Sequence, residues 1–104
     1  RSKRMIFTGE KIAVEKAMEW GLISYYVDEH HLFTEAKQLA QQIVKNAPIA
    51  IQQAKFAIDR GMEVDLNTGI SIEKKAYEVT IPTKDRLEGL QAFKEKRLPK
   101  YIGE

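Results

Sequence analysis

A chain of 104 residues with 43% hydrophobic content is sized for one domain with a modest core. It contains no cysteine, which excludes a disulfide framework and a thiolate metal site and fits a reducing compartment. Its 17 basic and 15 acidic residues leave a net charge of +2 and are mixed along the chain, whereas a nucleic-acid binder masses its basic residues on one face.

The longest apolar runs fall far short of a membrane span, and no signal-peptide pattern opens the chain, so a soluble protein without a membrane partner is expected. The chain starts at Arg1-Ser2-Lys3-Arg4 without an initiator Met and runs straight into Met5-Ile6-Phe7. That reads as a cut through a longer protein, although processing or deliberate truncation gives the same start.

Residues 1–7 read as the end of a helix closed by Thr8-Gly9. Val14, Ala17 and Met18 then space like a second helix face. Gly21 supplies the residue that goes left-handed after its last turn, and Leu22 folds back towards Ala17. Ala13 stands where a Ser or Asp cap would be expected, an omission worth about 1 kcal/mol of local stability. The β-branched and aromatic run Leu22-Ile23-Ser24-Tyr25-Tyr26-Val27 predicts one short strand, which needs partners the chain does not obviously contain. Asp28 is a fair cap for the next helix. In it Leu32, Phe33, Ala36, Leu39, Ala40, Ile43 and Val44 form an amphipathic stripe.

Asn46-Ala47-Pro48 breaks that helix and starts another, since Pro suits a first helical position. Ala50, Ala54 and Ala57 share a face that permits close helix approach, and Gly61 ends the element. Asp65 caps a further helix with Leu66, Ile70, Glu73, Tyr77 and Ile81 along one stripe. Glu73 there predicts a partly buried carboxylate in need of a partner, with Lys74 and Arg86 as candidates.

Pro82 forbids continuation, Thr83 caps a last helix, and Asp85 sits where the dipole favours a negative charge. Leu87, Leu90 and Phe93 form its apolar stripe. Lys94, Lys96 and Arg97 crowd its end before Pro99. Two readings of that end stay open: dipole complementation on a solvated terminus, or an anion site of three cations beside one ring. Gly89 inside the helix implies close packing or a ligand near the backbone, because Gly costs roughly 1 kcal/mol against Ala there. Residues 100–104 are expected to be extended and docked only through Tyr101 and Ile102.

Candidate chemistry is sparse. His31 and Glu35 lie one helical turn apart, yet two or three ligands without a second motif favour a first-turn histidine beside a cap over a metal site. The carboxylate pairs Glu63/Asp65 and Asp85/Glu88 sit at helix starts, where acids serve the dipole. No phosphate loop, nucleophile elbow or Ser/His/Asp set occurs.

Read together, several segments carry a likeness. They are Phe7-Thr8-Gly9 with Ala17 and Gly21-Leu22-Ile23, Pro48-Ile49-Ala50 with Lys55, Thr83-Lys84-Asp85-Arg86-Leu87-Glu88-Gly89, and Ala92-Phe93-Lys94-Glu95-Lys96-Arg97-Leu98-Pro99. Their order and spacing resemble the C-terminal portion of the crotonase superfamily of enoyl-CoA hydratases and isomerases. Residues 61–66 and 81–86 look like its methylglutaconyl-CoA hydratase branch.

The resemblance implies a mainly α chain, the C-terminal helical trimerisation segment of a crotonase-like α/β spiral fold, with the strand near 22–27 lying against the spiral core. Residues 1–27 would end that core region, and 28–104 would build oligomer contacts and part of the coenzyme A pocket. The implied reaction is reversible hydration of 2-enoyl-CoA thioesters. An isomerase, another crotonase-type acyl-CoA enzyme and a non-catalytic oligomerisation or RNA-binding module are the alternatives.

Hydratase catalysis in the family is attributed to two glutamates and an oxyanion hole in the upstream part, so no residue here is assigned a catalytic or metal role. By position, Lys96 matches a lysine near the coenzyme A phosphates and Phe93 a ring near the adenine, while Tyr77 matches an aromatic residue lining the acyl end. With those matches the anion-site reading of the last helix becomes the favoured one. Implied too are a trimer or dimer of trimers, no cofactor beyond the coenzyme A of the substrate, and a place in fatty-acid or branched-chain amino-acid breakdown. The corresponding compartment is the bacterial cytoplasm or the mitochondrial matrix.

Overall fold

The computed structural model describes residues 1–104 and contains six helices joined by short connections. They are α1 (Ser2–Thr8), α2 (Val14–Glu19), α3 (Glu29–Ile43), α4 (Pro48–Gly61), α5 (Leu66–Thr80) and α6 (Lys84–Glu95). The chain forms two compact units, Arg1–Lys37 and Gln38–Glu104, and the division falls within α3.

In the first unit the helix ends follow the local sequence. Gly9 closes α1 at φ 62°, its N–H bonded to the Met5 carbonyl. Past α2, Gly21 turns left-handed at φ 75°, and the N–H groups of Gly21 and Leu22 reach the carbonyls of Met18 and Ala17. Those bonds satisfy carbonyls that the helix itself leaves free, as a glycine-terminated helix requires. Ala13 makes no side-chain cap.

The expected strand does not form. Residues 22–24 are bends and 25–27 are irregular, with Tyr25 and Tyr26 exposed. The reason is pairing: an extended segment satisfies its N–H and C=O groups only against another, and no second strand exists in the chain. High β propensity therefore has nothing to act upon.

In the second unit α4 and α5 form the main helix pair. They approach closely where Gly69 faces Gly61: a Cβ built on Gly69 would lie 3.5 Å from the Gly61 carbonyl oxygen. Ala50, Ala54 and Ala57 of α4 line a cleft of about 310 Å³ with Ala76 and Tyr77 of α5. Asp65 caps α5 by accepting from the Thr68 N–H at 3.1 Å. The Thr68 side chain and N–H together hold its carboxyl below the usual range.

Little is enclosed. Ala76 and Ala92 are the only buried hydrophobic residues, and Asp85 is the only buried charged one. Leu87, Leu90 and Phe93 all point to solvent, as do Leu32, Phe33 and Leu39 of α3. Glu73 also lies exposed, without an ion pair, contrary to the expectation of a partly buried carboxylate. Its stripe faces an open cleft rather than a core, so no partner is required.

Candidate functional site

The last helix and the tail that follows carry most of the polar structure. Thr83 caps α6 by accepting from the Arg86 N–H at 3.1 Å, while its own hydroxyl donates to the Thr80 carbonyl at 2.7 Å. This single side chain links the end of α5 to the start of α6. The Pro82 break thus becomes a tight helix–helix corner.

Asp85 does more than complement the dipole. It is 1% exposed, and its two carboxylate oxygens accept from the N–H groups of Ile102 (2.8 Å) and Gly103 (2.9 Å). Its own N–H donates to the Glu104 carbonyl at 2.9 Å, and Lys84 pairs with the Glu104 carboxylate. A carboxylate accepting backbone N–H bonds at these lengths is a strong, charge-assisted anchor. The tail is therefore held mainly by backbone bonds to α6. Ile102 stays exposed, whereas Tyr101 packs over the helix. Tyr101 explains Gly89, because a Cβ there would stand 3.1 Å from the Tyr101 hydroxyl.

At the other end of α6 the three cations separate. Arg97 is engaged: its guanidinium donates to both Glu88 oxygens (2.6 and 3.0 Å) and to Glu95 (2.6 Å). Glu88 also accepts the Lys100 N–H at 2.8 Å. The bonds from Arg97, and then that from Lys100, hold the Glu88 carboxyl down at about 2. The same contacts lower Glu95 and raise Arg97. Lys94 and Lys96 make no ion pair. Of the three cations that crowd the end of α6, Arg97 already has its anions, which leaves only Lys94 and Lys96 without one.

Phe93 and Lys96 meet through the backbone. The Lys96 N–H bonds to the Phe93 carbonyl at 3.2 Å, and the Phe93 ring is 87% exposed. Lys96 is left-handed, with φ 54° and ψ 39°, and is the only residue other than glycine with positive φ. Tyr77 lies elsewhere. It lines a cleft of about 340 Å³ with Thr83, Arg86, Gly89, Leu90 and Tyr101, and neither Phe93 nor Lys96 borders that cleft. His30 and His31 are exposed at the start of α3, with His31 Nδ1 3.9 Å from an Asp28 oxygen. No three His, Asp or Glu side chains converge on a common point.

Asp85 as a tail anchor, Arg97 as an internal clamp and Tyr101 as a cover for Gly89 were not legible from pattern. Their partners lie between nine and eighteen positions away, outside any helical period.

The sequence model of the enoyl-CoA hydratase/isomerase family matches residues 1–104. The chain is 52% identical over 103 residues to YngF of Bacillus subtilis, covering 99% of this chain and 40% of that protein. It is 46% identical over 107 residues to human mitochondrial methylglutaconyl-CoA hydratase, covering 99% and 32% respectively. Its fold superposes on the crystal structure of enoyl-CoA hydratase from Bacillus anthracis with a TM-score of 0.95 and 53% identity, over 100% of this chain and 40% of that one. A mainly helical segment with this likeness is one part of a crotonase-type architecture. The chain belongs to the enoyl-CoA hydratase/isomerase family, and it spans 40% or less of the length of these relatives.

Proposed function

We propose that this chain works as the C-terminal part of an enoyl-CoA hydratase that adds water reversibly across the 2,3-double bond of acyl-CoA thioesters. The observation that carries the reading is the family match along all 104 residues. On this reading residues 1–27 close the spiral core and 28–104 supply oligomer contacts and one wall of the coenzyme pocket. Lys96 approaches the phosphates, Phe93 lies against the adenine, and Tyr77 borders the acyl end. An unpaired ammonium three residues past an exposed ring suits a phosphate-bearing, flat ligand. The exposed apolar stripes of α3 and α6 are the surfaces a second copy would cover, as in a trimer or dimer of trimers. The substrate brings its own coenzyme A, and no metal or redox cofactor is invoked. The likeness to methylglutaconyl-CoA hydratase favours a branched-chain breakdown step, in the mitochondrial matrix or the bacterial cytoplasm.

The acid–base work falls to glutamates of the family's upstream part, and preorganised N–H groups there would stabilise the thioester enolate. The 104-residue chain by itself is therefore inactive. The test is a graft, in which this chain replaces the matching segment of the Bacillus anthracis hydratase. Loss of enoyl absorbance is then followed for the graft and for the chain alone. Turnover by the graft and none by the chain is expected, and turnover by the chain alone overturns the assignment of the chemistry. Lys96→Ala in the graft should raise the KM for the enoyl-CoA about tenfold, the size of one charge-assisted contact. An unchanged KM removes Lys96 from the pocket.

A further inference from the structure

The left-handed backbone of Lys96 is the starting point. A side chain in that region costs roughly 1 kcal/mol or more relative to glycine, which is the usual residue one step past a helix end. Such a conformation persists only where its surroundings fix it. Here both sides of Lys96 are fixed. On the helix side its N–H is bonded to the Phe93 carbonyl, and the Arg97 N–H reaches back to Ala92 at 3.0 Å. On the tail side the Arg97 guanidinium is drawn two turns back along α6 onto Glu88, and Glu88 also takes the Lys100 N–H. Glu95 holds the third edge of the guanidinium at 2.6 Å.

We infer that Arg97, clamped by Glu88 and Glu95, is a positioning residue that folds the chain over the end of α6 and fixes the backbone of Lys96, whose ammonium makes no ion pair, three residues past Phe93. The clamp has two effects on an incoming anion. It withdraws Arg97 from competition for it, and it fixes the backbone that carries Lys96, one of two cations here without an ion pair, before any ligand arrives. A loosely held lysine loses rotamer and backbone freedom on binding, and preorganisation removes part of that loss. Arg97 suits the role because its planar fork engages two carboxylates at once, which a lysine cannot match. The low Glu88 carboxyl agrees with this geometry.

This inference rests on the proposed role of Lys96, and its test separates the two. The readout, in the graft described above, is the ratio of KM for a pantetheine thioester to KM for the same acyl-CoA. Only the coenzyme carries the nucleotide and its phosphates, so the ratio reports that end of the ligand. Lys96→Ala is expected to lower the ratio about tenfold. Glu88→Gln and Arg97→Lys are each expected to lower it by about threefold to tenfold, because both break the fork while keeping size. In the Lys96→Ala background the same changes should have no further effect on the ratio, since they act through Lys96.

Loss of the ratio in Lys96→Ala with none in Glu88→Gln or Arg97→Lys overturns the clamp and leaves the pocket assignment standing. A full additive loss in the double variants shows a route other than Lys96 and also overturns the clamp. A silent Lys96→Ala overturns both. Lys96→Gly is a control for folding: it relaxes the helix end, so its thermal midpoint should rise while the ratio falls. Arg97→Lys keeps the charge, and it decides the outcome if Glu88→Gln does not yield folded protein.

Discussion

Asp85 illustrates how a single side chain changes meaning once the chain is folded. By position it is a first-turn acid like many others. In the folded unit it is buried and receives two N–H groups from a segment seventeen and eighteen residues later. Replacing it with Ala leaves two part-buried N–H donors without acceptors, a loss of about 1–3 kcal/mol by the usual scale for such groups. The expected result is lower stability together with loss of hydrogen-exchange protection at Ile102 and Gly103. Retained protection at those amides in Asp85→Ala would show that something else holds the tail.

Glu88 gives a pH prediction. Its folded carboxyl sits at about 2 against an unperturbed 4.5, so the folded state favours the ionised form. Its contribution is complete above the unfolded value and is lost as pH falls through the folded one. The window is therefore about pH 4.5 down to 2, and nothing should change between pH 6 and 8 from this group. Carboxyl NMR of Glu88 should titrate near 2, and the Lys100 amide should lose protection in the same range. A midpoint above 4 is incompatible with the clamp geometry.

At the level of elements, α6 and its tail behave as one structure. Gly89 weakens the helix by roughly 1 kcal/mol relative to Ala, but the Tyr101 hydroxyl would stand only 3.1 Å from an added Cβ. Gly89→Ala should therefore fail to give the gain that propensity alone predicts, and should lower the thermal midpoint of the second unit. Tyr101→Phe removes the obstructing oxygen, so the double variant should recover most of that loss. Equal effects of Gly89→Ala with and without the Tyr101 change would refute the steric reading. Capping is simpler. Thr83→Ala should cost about 1 kcal/mol, with an added effect on the corner, because the Thr83 hydroxyl also holds the Thr80 carbonyl.

For the whole molecule the decisive quantity is surface. A folded monomer of this mass, 12.0 kDa, exposes about 6,000 Å² by the usual scaling, whereas these residues expose 9058 Å². The excess of about 3,000 Å² is surface that a self-contained monomer of this mass would bury. Two buried alanines cannot offset the conformational entropy of ordering a chain this long. The expected behaviour of the isolated chain is concentration-dependent association and binding of hydrophobic dyes, measured by sedimentation and fluorescence. A stable, non-associating monomer with a cooperative unfolding transition would contradict it. No helix is long and apolar enough to cross a membrane.

The sequence by itself determined the punctuation of the chain. Gly9 and Gly21 at left-handed turns, Pro48 and Gly61 bounding α4, and the caps Asp65 and Thr83 all sit where their backbone chemistry puts them. Those preferences act over three or four residues, so pattern alone suffices. The family likeness was legible as well, because it rests on the order and spacing of several segments between Phe7 and Pro99. Only the tertiary structure decided that residues 22–27 form no strand, that Glu73 is exposed, and that Arg97 is engaged while Lys96 is free. Each of those outcomes depends on which distant group, if any, arrives to satisfy a donor, an acceptor or a charge. Periodicity describes the face a helix offers; it does not say what meets that face.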